Sequence, residues 1–134
     1  MSPYCTQLTT LTQEQVNQGI SFLEACQILT HNFKGRERVW ASYGDYDRRM
    51  FEQQCKRDGV EYPFSPVHIN VKSLFAIMQG LRAEIGMSSA LRKLGLQLEG
   101  THHRGGDDAW NIAAILSRII LSSRPARSLQ SRDT

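Results

Sequence analysis

The sequence has few cysteines and none in a metal-binding or disulfide-like arrangement. Cys5, Cys26 and Cys55 are odd in number, widely spaced and never form a C-x-x-C pair. That excludes a disulfide framework and a thiolate zinc site, and reduced, mostly buried thiols are expected instead. A zinc site built from His102, His103 and the cysteines has no ligand spacing to support it. There is no run of about eighteen apolar residues and no basic-then-apolar start, so neither a membrane span nor a secretory signal is expected. The expectation is a soluble, cytoplasmic protein. Charge of one sign is also scarce. Of the formal +3, two charges belong to the stretch from Ser122 to Thr134, where Arg124, Arg127 and Arg132 face only Asp133. A protein that coats nucleic acid by charge alone would have a much stronger basic balance. Any nucleic-acid binding must therefore rest on a site.

What is present is enough for one domain: 134 residues, 40% of them hydrophobic, can bury a single core without a staple. Met1 to Leu11 has little periodicity. Thr12 followed by Gln15 has the spacing of a capping box and predicts a short helix to about Gln18. Ile20 to Phe33 carries apolar residues at helical spacing. Val39 to Tyr43, bounded by Gly44, is short, apolar and β-favouring, which predicts a strand covered on both faces and hence a parallel sheet. A helix is predicted from Asp47 to about Lys56, broken by Asp58-Gly59. Pro63 and Pro66 keep the next stretch in loop before a second strand, Val67 to Val71. Short helices follow over Lys72 to Gln79 and Ser88 to Leu94, the latter stopped by Gly95. After Gly105-Gly106 comes the clearest helix, Asp107 to about Leu121. Pro125 and the Ser- and Arg-rich end predict a disordered basic tail over 122–134. The alternation of strands and helices gives an α/β fold. Two strands are too few for five or six helices, so the sheet is small or part of it lies outside this chain.

The stretch from Thr101 to Asp108 poses a question of facing. Asp108 lies four residues before Ile112 and seven before Ile115, on the stripe that also holds Leu116 and Ile119. Asp107 shares a stripe with Asn111, Ala114 and Arg118 and is the expected N-cap. A carboxylate on the buried side of a helix must be paired or bound to a metal. Asp47 stands in the same relation to Met50 and Phe51, and it follows the C-terminal end of a strand, where open α/β sheets place their ligands. Two such carboxylates could converge on a hard cation such as Mg²⁺. The plain alternative is that both aspartates only stabilise helix N-termini. His31 and His68 are read as structural, and Arg48-Arg49 and Arg92-Lys93 as solvated helix faces.

Taken together, these stretches resemble the DEDDh 3′-to-5′ exonucleases, within them the KapD-like bacterial proteins and the Eri-type RNA exonucleases. The resemblance rests on Cys5-x-x-Leu8-x-x-Leu11-Thr12-Gln13-x-x-Val16, Tyr43-Gly44-Asp45-Tyr46-Asp47 and Ile69-Asn70-Val71-Lys72-x-Leu74-Phe75. It is completed by Gly100-x-x-His103-x-Gly105-x-x-Asp108-Ala109-x-Asn111-Ile112-Ala113, and it covers nearly all of residues 2–121. It implies a ribonuclease H-like α/β fold over 1–121. The family's last motif, a histidine five residues before an aspartate, selects His103 with Asp108; His102 with Asp107 would conflict with the facing argument. The second motif selects Asp47 over Asp45. By resemblance, Asp47 and Asp108 are ligands of a two-metal Mg²⁺ or Mn²⁺ site, and His103 is the general base for an attacking water. Two divalent ions assist in-line attack on a phosphodiester, and a neutral imidazole is a suitable base. The implied substrate is the 3′ end of single-stranded nucleic acid, RNA more readily than DNA, and the implied products are nucleoside 5′-monophosphates.

The chain departs from this pattern in one large respect. The family's first motif, an apolar strand with Asp-x-Glu, is absent, and Glu14 on a polar helix is no substitute. The N-terminal strands of the sheet are expected to be missing, which also accounts for a sheet that is too small. Weak or no activity is expected of this polypeptide alone. The alternative is a non-catalytic remnant that binds nucleic acid or a partner protein.

Overall fold

The computed structural model describes residues 1–123. The segment 124–134, most of the tail expected to be disordered, lies outside the described residues, whereas Ser122 and Ser123 still belong to the last helix. In chain order the elements are α1 (Pro3–Thr9), α2 (Gln13–Asn17), α3 (Phe22–His31), β1 (Trp40–Ser42), α4 (Tyr46–Asp58) and β2 (His68–Asn70). They continue with α5 (Val71–Met78), α6 (Met87–Lys93) and α7 (Gly105–Ser123). The predicted capping box is formed: the Thr12 hydroxyl accepts the Gln15 N–H at 3.2 Å, and the Gln15 side chain accepts the Thr12 N–H at 2.9 Å. Helix α1 was not expected from the aperiodic start. Its signal was local, because Ser2 caps it by accepting the Cys5 N–H and Pro3 opens its first turn.

β1 and β2 pair in parallel, with Trp40 opposite His68, Ala41 opposite Ile69 and Ser42 opposite Asn70. They make the only sheet among the described residues, a two-stranded one. A parallel pair cannot stand alone in water. Here it leans on α5, whose Val71 and Phe75 are fully buried, and through α5 on α7, against which α6 packs. Phe75, Leu91, Ile115 and Ile119, with Met87 and Ala90, form the core. Each of the larger side chains contributes about 1.5–3 kcal/mol by leaving water.

A second, aromatic cluster ties β1 to α4 and α3. Trp40 stacks on Phe64 with ring centres 4.2 Å apart, Phe64 meets Phe51 edge-on at 5.0 Å, and Phe51 meets Phe22 at 5.7 Å. The Trp40 indole N–H donates to the Ser65 carbonyl at 3.2 Å, so the polar tip of this ring is satisfied. The other edge of β1 faces α7 across an open space. Asp47, His102 and Asp108 border that space.

Candidate active site

The long helix α7 divides its apolar residues between two surfaces. Ile115 and Ile119 enter the core, while Ala109, Ile112, Ala113 and Leu116 line a trough of about 630 Å³ whose opposite wall is Trp40 to Tyr43 of the β1 region. The stripe predicted to carry Asp108 inward is thus real, but Asp108 faces the trough and not the core. Asp108, Asp47 and His102 border this same trough. The polar residues stand near the C-terminal end of β1, where a parallel sheet presents its ligand site.

Asp47 sits in the first turn of α4, one turn before Met50 and Phe51. It is exposed, not inward as its helical position suggested, and it makes no hydrogen bond among the described residues. Asp45 differs. Both of its oxygens receive the Arg48 guanidinium at 2.8 Å, and this pairing holds its carboxyl below the usual carboxylate range. Arg48 also reaches Glu52 at 2.8 Å, which makes it a partner for carboxylates on its own helix. The geometry therefore separates the two aspartates of Gly44-Asp45-Tyr46-Asp47: one is consumed by an ion pair, the other points at the trough.

Helix α7 begins two residues earlier than predicted, at Gly105, so Asp107 is not an N-cap. Its carboxylate instead accepts the Thr101 N–H at 2.8 Å. It also packs directly beneath Gly100, where φ is +73° and any Cβ would collide with that carboxylate. Asn111 was placed on an outward stripe by its spacing from Asp107, yet it is 2% exposed. The loop 99–104 folds back over it, and the Asn111 amide bonds both the N–H and the carbonyl of Glu99. A buried asparagine on a polar stripe gives no signal in sequence alone unless the length of the preceding loop is weighed.

Asp108 is half-buried and fully engaged by the same loop. The His103 N–H donates to its two oxygens at 3.1 and 3.3 Å, and His102 Nδ1 lies 2.8 Å from Oδ1. The requirement that an inward carboxylate be paired is met by loop atoms. His103 adopts φ +69° and exposes its ring, which stacks on His102 with centres 3.9 Å apart. The side chain that touches Asp108 is therefore His102, which motif spacing alone did not select. His103 comes to the same carboxylate through its backbone. Arg104, next in the loop, turns away and donates to the Thr10 hydroxyl at 2.9 Å, tying the end of α1 to this loop.

His68 is structural, as read from sequence. It accepts or donates a 2.8 Å bond with the Ser42 hydroxyl and packs against Trp40. Burial, and after it the nearby Arg48 charge, pushes its pKa down. Cys26 and Cys55 are buried and Cys5 is exposed. Burial pushes the Cys55 thiol up to about 11. No helix is long and apolar enough to cross a membrane among the described residues.

Asp47, His102 and Asp108 thus border one trough beside β1, while the close cluster of possible ligand atoms comprises His102, His103 and Asp108 and does not include Asp47. The family model Exonuclease (RNase_T) matches residues 1–116, and the chain belongs to that family. It is 28% identical over 130 residues to the rat (Rattus norvegicus) 3′-5′ exoribonuclease 1, covering 90% of this chain and 37% of that protein. It is 25% identical over 105 residues to the probable 3′-5′ exonuclease KapD of Bacillus subtilis, covering 78% of this chain and 51% of that one. Among solved structures, the nuclease domain of 3′hExo, a DEDDh family member bound to rAMP, superposes with a TM-score of 0.83 at 26% identity. That superposition covers 92% of this chain and 66% of that one. A further neighbour is the 3′-exonuclease in a structure of 3′-end-specific recognition of the histone mRNA stem-loop, with a TM-score of 0.83. The chain thus spans about a third of the rat relative and two thirds of the solved nuclease domain. The ribonuclease H-like fold expected from the sequence is the fold observed, with few strands.

Proposed function

We propose that this chain carries the second and last parts of a 3′-to-5′ exonuclease site that removes nucleoside 5′-monophosphates from single-stranded RNA, with DNA a poorer substrate. The observation that carries the reading is that Asp47 and Asp108, from two different helices, border one trough at the C-terminal end of β1. Their hard carboxylate oxygens suit Mg²⁺ or Mn²⁺. A pair of such ions, once bound, would polarise the phosphodiester and stabilise the departing 3′ oxygen. Within this assignment Asp47 and Asp108 fix the ions, and the exposed His103 imidazole takes the proton of the attacking water. Asp107 and Asn111 hold the loop so that the histidine stays beside Asp108. The preference for RNA is supported by the rat relative, an exoribonuclease by name.

Two carboxylates are a sparse set for Mg²⁺, which favours near-octahedral oxygen coordination. The sequence contains no Asp-x-Glu. We assign the remaining ligands to an acidic strand laid along the open edge of β1, into the apolar trough. The chain is therefore weakly active at most by itself. The test is an assay on labelled single-stranded RNA and DNA with Mn²⁺, run on the chain and on a version extended by an apolar strand carrying Asp-x-Glu. Stepwise mononucleotide release that rises by about 100-fold or more in the extended form, and is lost in Asp108→Ala, supports the reading. Oligonucleotide binding without hydrolysis in both forms, indifferent to Mn²⁺ and to His103→Ala, would instead favour a non-catalytic binding role.

A further inference from the structure

The His102, His103 and Asp108 side chains each offer one ligand atom, and these three atoms lie within 4.8 Å of one another. We infer that they form a site for a transition cation of borderline softness, such as Zn²⁺, Co²⁺ or Ni²⁺, which shares Asp108 with the Mg²⁺ site proposed above but differs from it in taking two imidazole donors.

Neighbouring residues in an extended chain send their side chains to opposite sides. Here the left-handed backbone of His103 folds the chain back, so that both imidazoles face the same way, 21° from parallel. A non-glycine residue adopts that conformation at a cost, and the Asp108 carboxylate holds it by accepting the His103 N–H. One carboxylate thus both closes the turn and supplies the third donor. Ligands around Zn²⁺ sit about 2.0–2.2 Å from the ion, which brings donor atoms to roughly 3–3.6 Å apart. Small rotations of two partly exposed rings cover the remaining distance: the His102 and Asp108 side chains are 40% and 24% exposed, and His103 is open to solvent.

The donor set decides the ion. Two imidazole nitrogens and one carboxylate oxygen suit Zn²⁺, Co²⁺ or Ni²⁺, whereas Mg²⁺ selects oxygen. The nearest cation of the loop does not oppose binding, because the Arg104 guanidinium is turned toward Thr10. The three ligands leave further coordination positions facing the trough. An ion held there would occupy both His103 and Asp108; on the exonuclease reading, that makes it an inhibitor competing with Mg²⁺ or Mn²⁺. No cysteine belongs to this cluster, and Cys26 and Cys55 lie buried on α3 and α4.

The experiment is calorimetric titration of the purified, reduced chain with Zn²⁺ and with Mg²⁺, together with Co²⁺ absorption spectra. The expected result is Zn²⁺ affinity at least about 100-fold above that for Mg²⁺. His102→Ala, His103→Ala and Asp108→Asn should each weaken Zn²⁺ by about 10-fold or more, while His31→Ala leaves it unchanged. The Co²⁺ spectrum should lack a thiolate charge-transfer band. Because Asp108→Asn also loosens the loop, His102→Gln, with its far-ultraviolet dichroism unchanged, is the deciding variant. Zn²⁺ binding that survives His102→Gln, or that disappears only in Cys26→Ser or Cys55→Ser, overturns the inference. These measurements involve no nuclease activity, so their failure is distinct from failure of the exonuclease reading.

Discussion

Asn111 grips the backbone of Glu99 on both sides of its Cα: Oδ1 accepts the Glu99 N–H at 3.0 Å and Nδ2 donates to the Glu99 carbonyl at 2.8 Å. Nδ2 also reaches the Asp107 carbonyl at 2.7 Å. With Asp107 on Thr101 and Asp108 on His103, three residues of α7 secure three points of one loop. The histidines are positioned by the helix that follows them, through side chains that bond their backbone.

Asn111→Leu keeps the volume but leaves the Glu99 N–H and carbonyl without their buried partners. The expected loss is about 2–3 kcal/mol in urea unfolding, with faster amide exchange in 99–104 than in α5. Loss confined to the global transition, with loop exchange unchanged, would show that Asn111 merely fills space.

His68 makes stability depend on pH. Its folded pKa lies below the ordinary histidine value of 6.5, with burial as the main cause. The unfolded chain therefore binds a proton at a pH where the folded chain does not. Stability from this residue is complete above about 6.5, is lost as pH falls from there toward the folded pKa, and levels off beneath it. The slope of unfolding free energy against pH in this acidic window should flatten in His68→Gln. Chemical denaturation at several pH values measures it.

The thiols should divide by position. Cys5 is exposed, whereas Cys26 and Cys55 are buried and their pKa values are raised by burial. A disulfide-exchange reagent at pH 8 is expected to label one thiol at once and the other two only on unfolding. Rapid labelling of all three would mean that the contact of α3 with α4 opens readily.

Much of this was legible in sequence because local chemistry set it. The Thr12–Gln15 capping box and the stop at Gly95 depend on residues a few positions apart, and the two short apolar runs were each visible as strands before their pairing of 40–42 with 68–70 was seen. Helical facing grouped Asp108 with Ile112 and Leu116 because α7 is long and regular, although that face lines the trough and not the core. The failures came where distant chain decides the outcome. Asn111 looked solvent-facing until loop 99–104 covered it. Asp107 looked like a cap until Gly105 and Gly106 proved helical. Asp47 looked inward because Met50 and Phe51 are apolar, yet the trough it borders stays open along β1. The contact of His102 with Asp108 was not visible in motif spacing, because the left-handed turn at His103 decides which ring meets the carboxylate.

The two aspartates around Tyr46 give a last, sharp comparison. Asp45 has both oxygens tied to Arg48, so it can serve a cation only by giving up that pair. Asp47 carries no such bond and lines the trough with Asp108. Exposed ion pairs of the Asp45–Arg48 kind contribute little to stability, typically about 0.2–1 kcal/mol. Asp45→Asn should therefore fold nearly as well as the parent and keep its Mn²⁺ affinity within about 2-fold. Asp47→Asn should also fold, since it breaks no bond, but should weaken Mn²⁺ by about 10-fold or more. Water-proton relaxation in Mn²⁺ titrations reads both. Equal weakening by the two variants would place the cation between them at the start of α4, and weakening by Asp45→Asn alone would reverse the assignment of the second carboxylate.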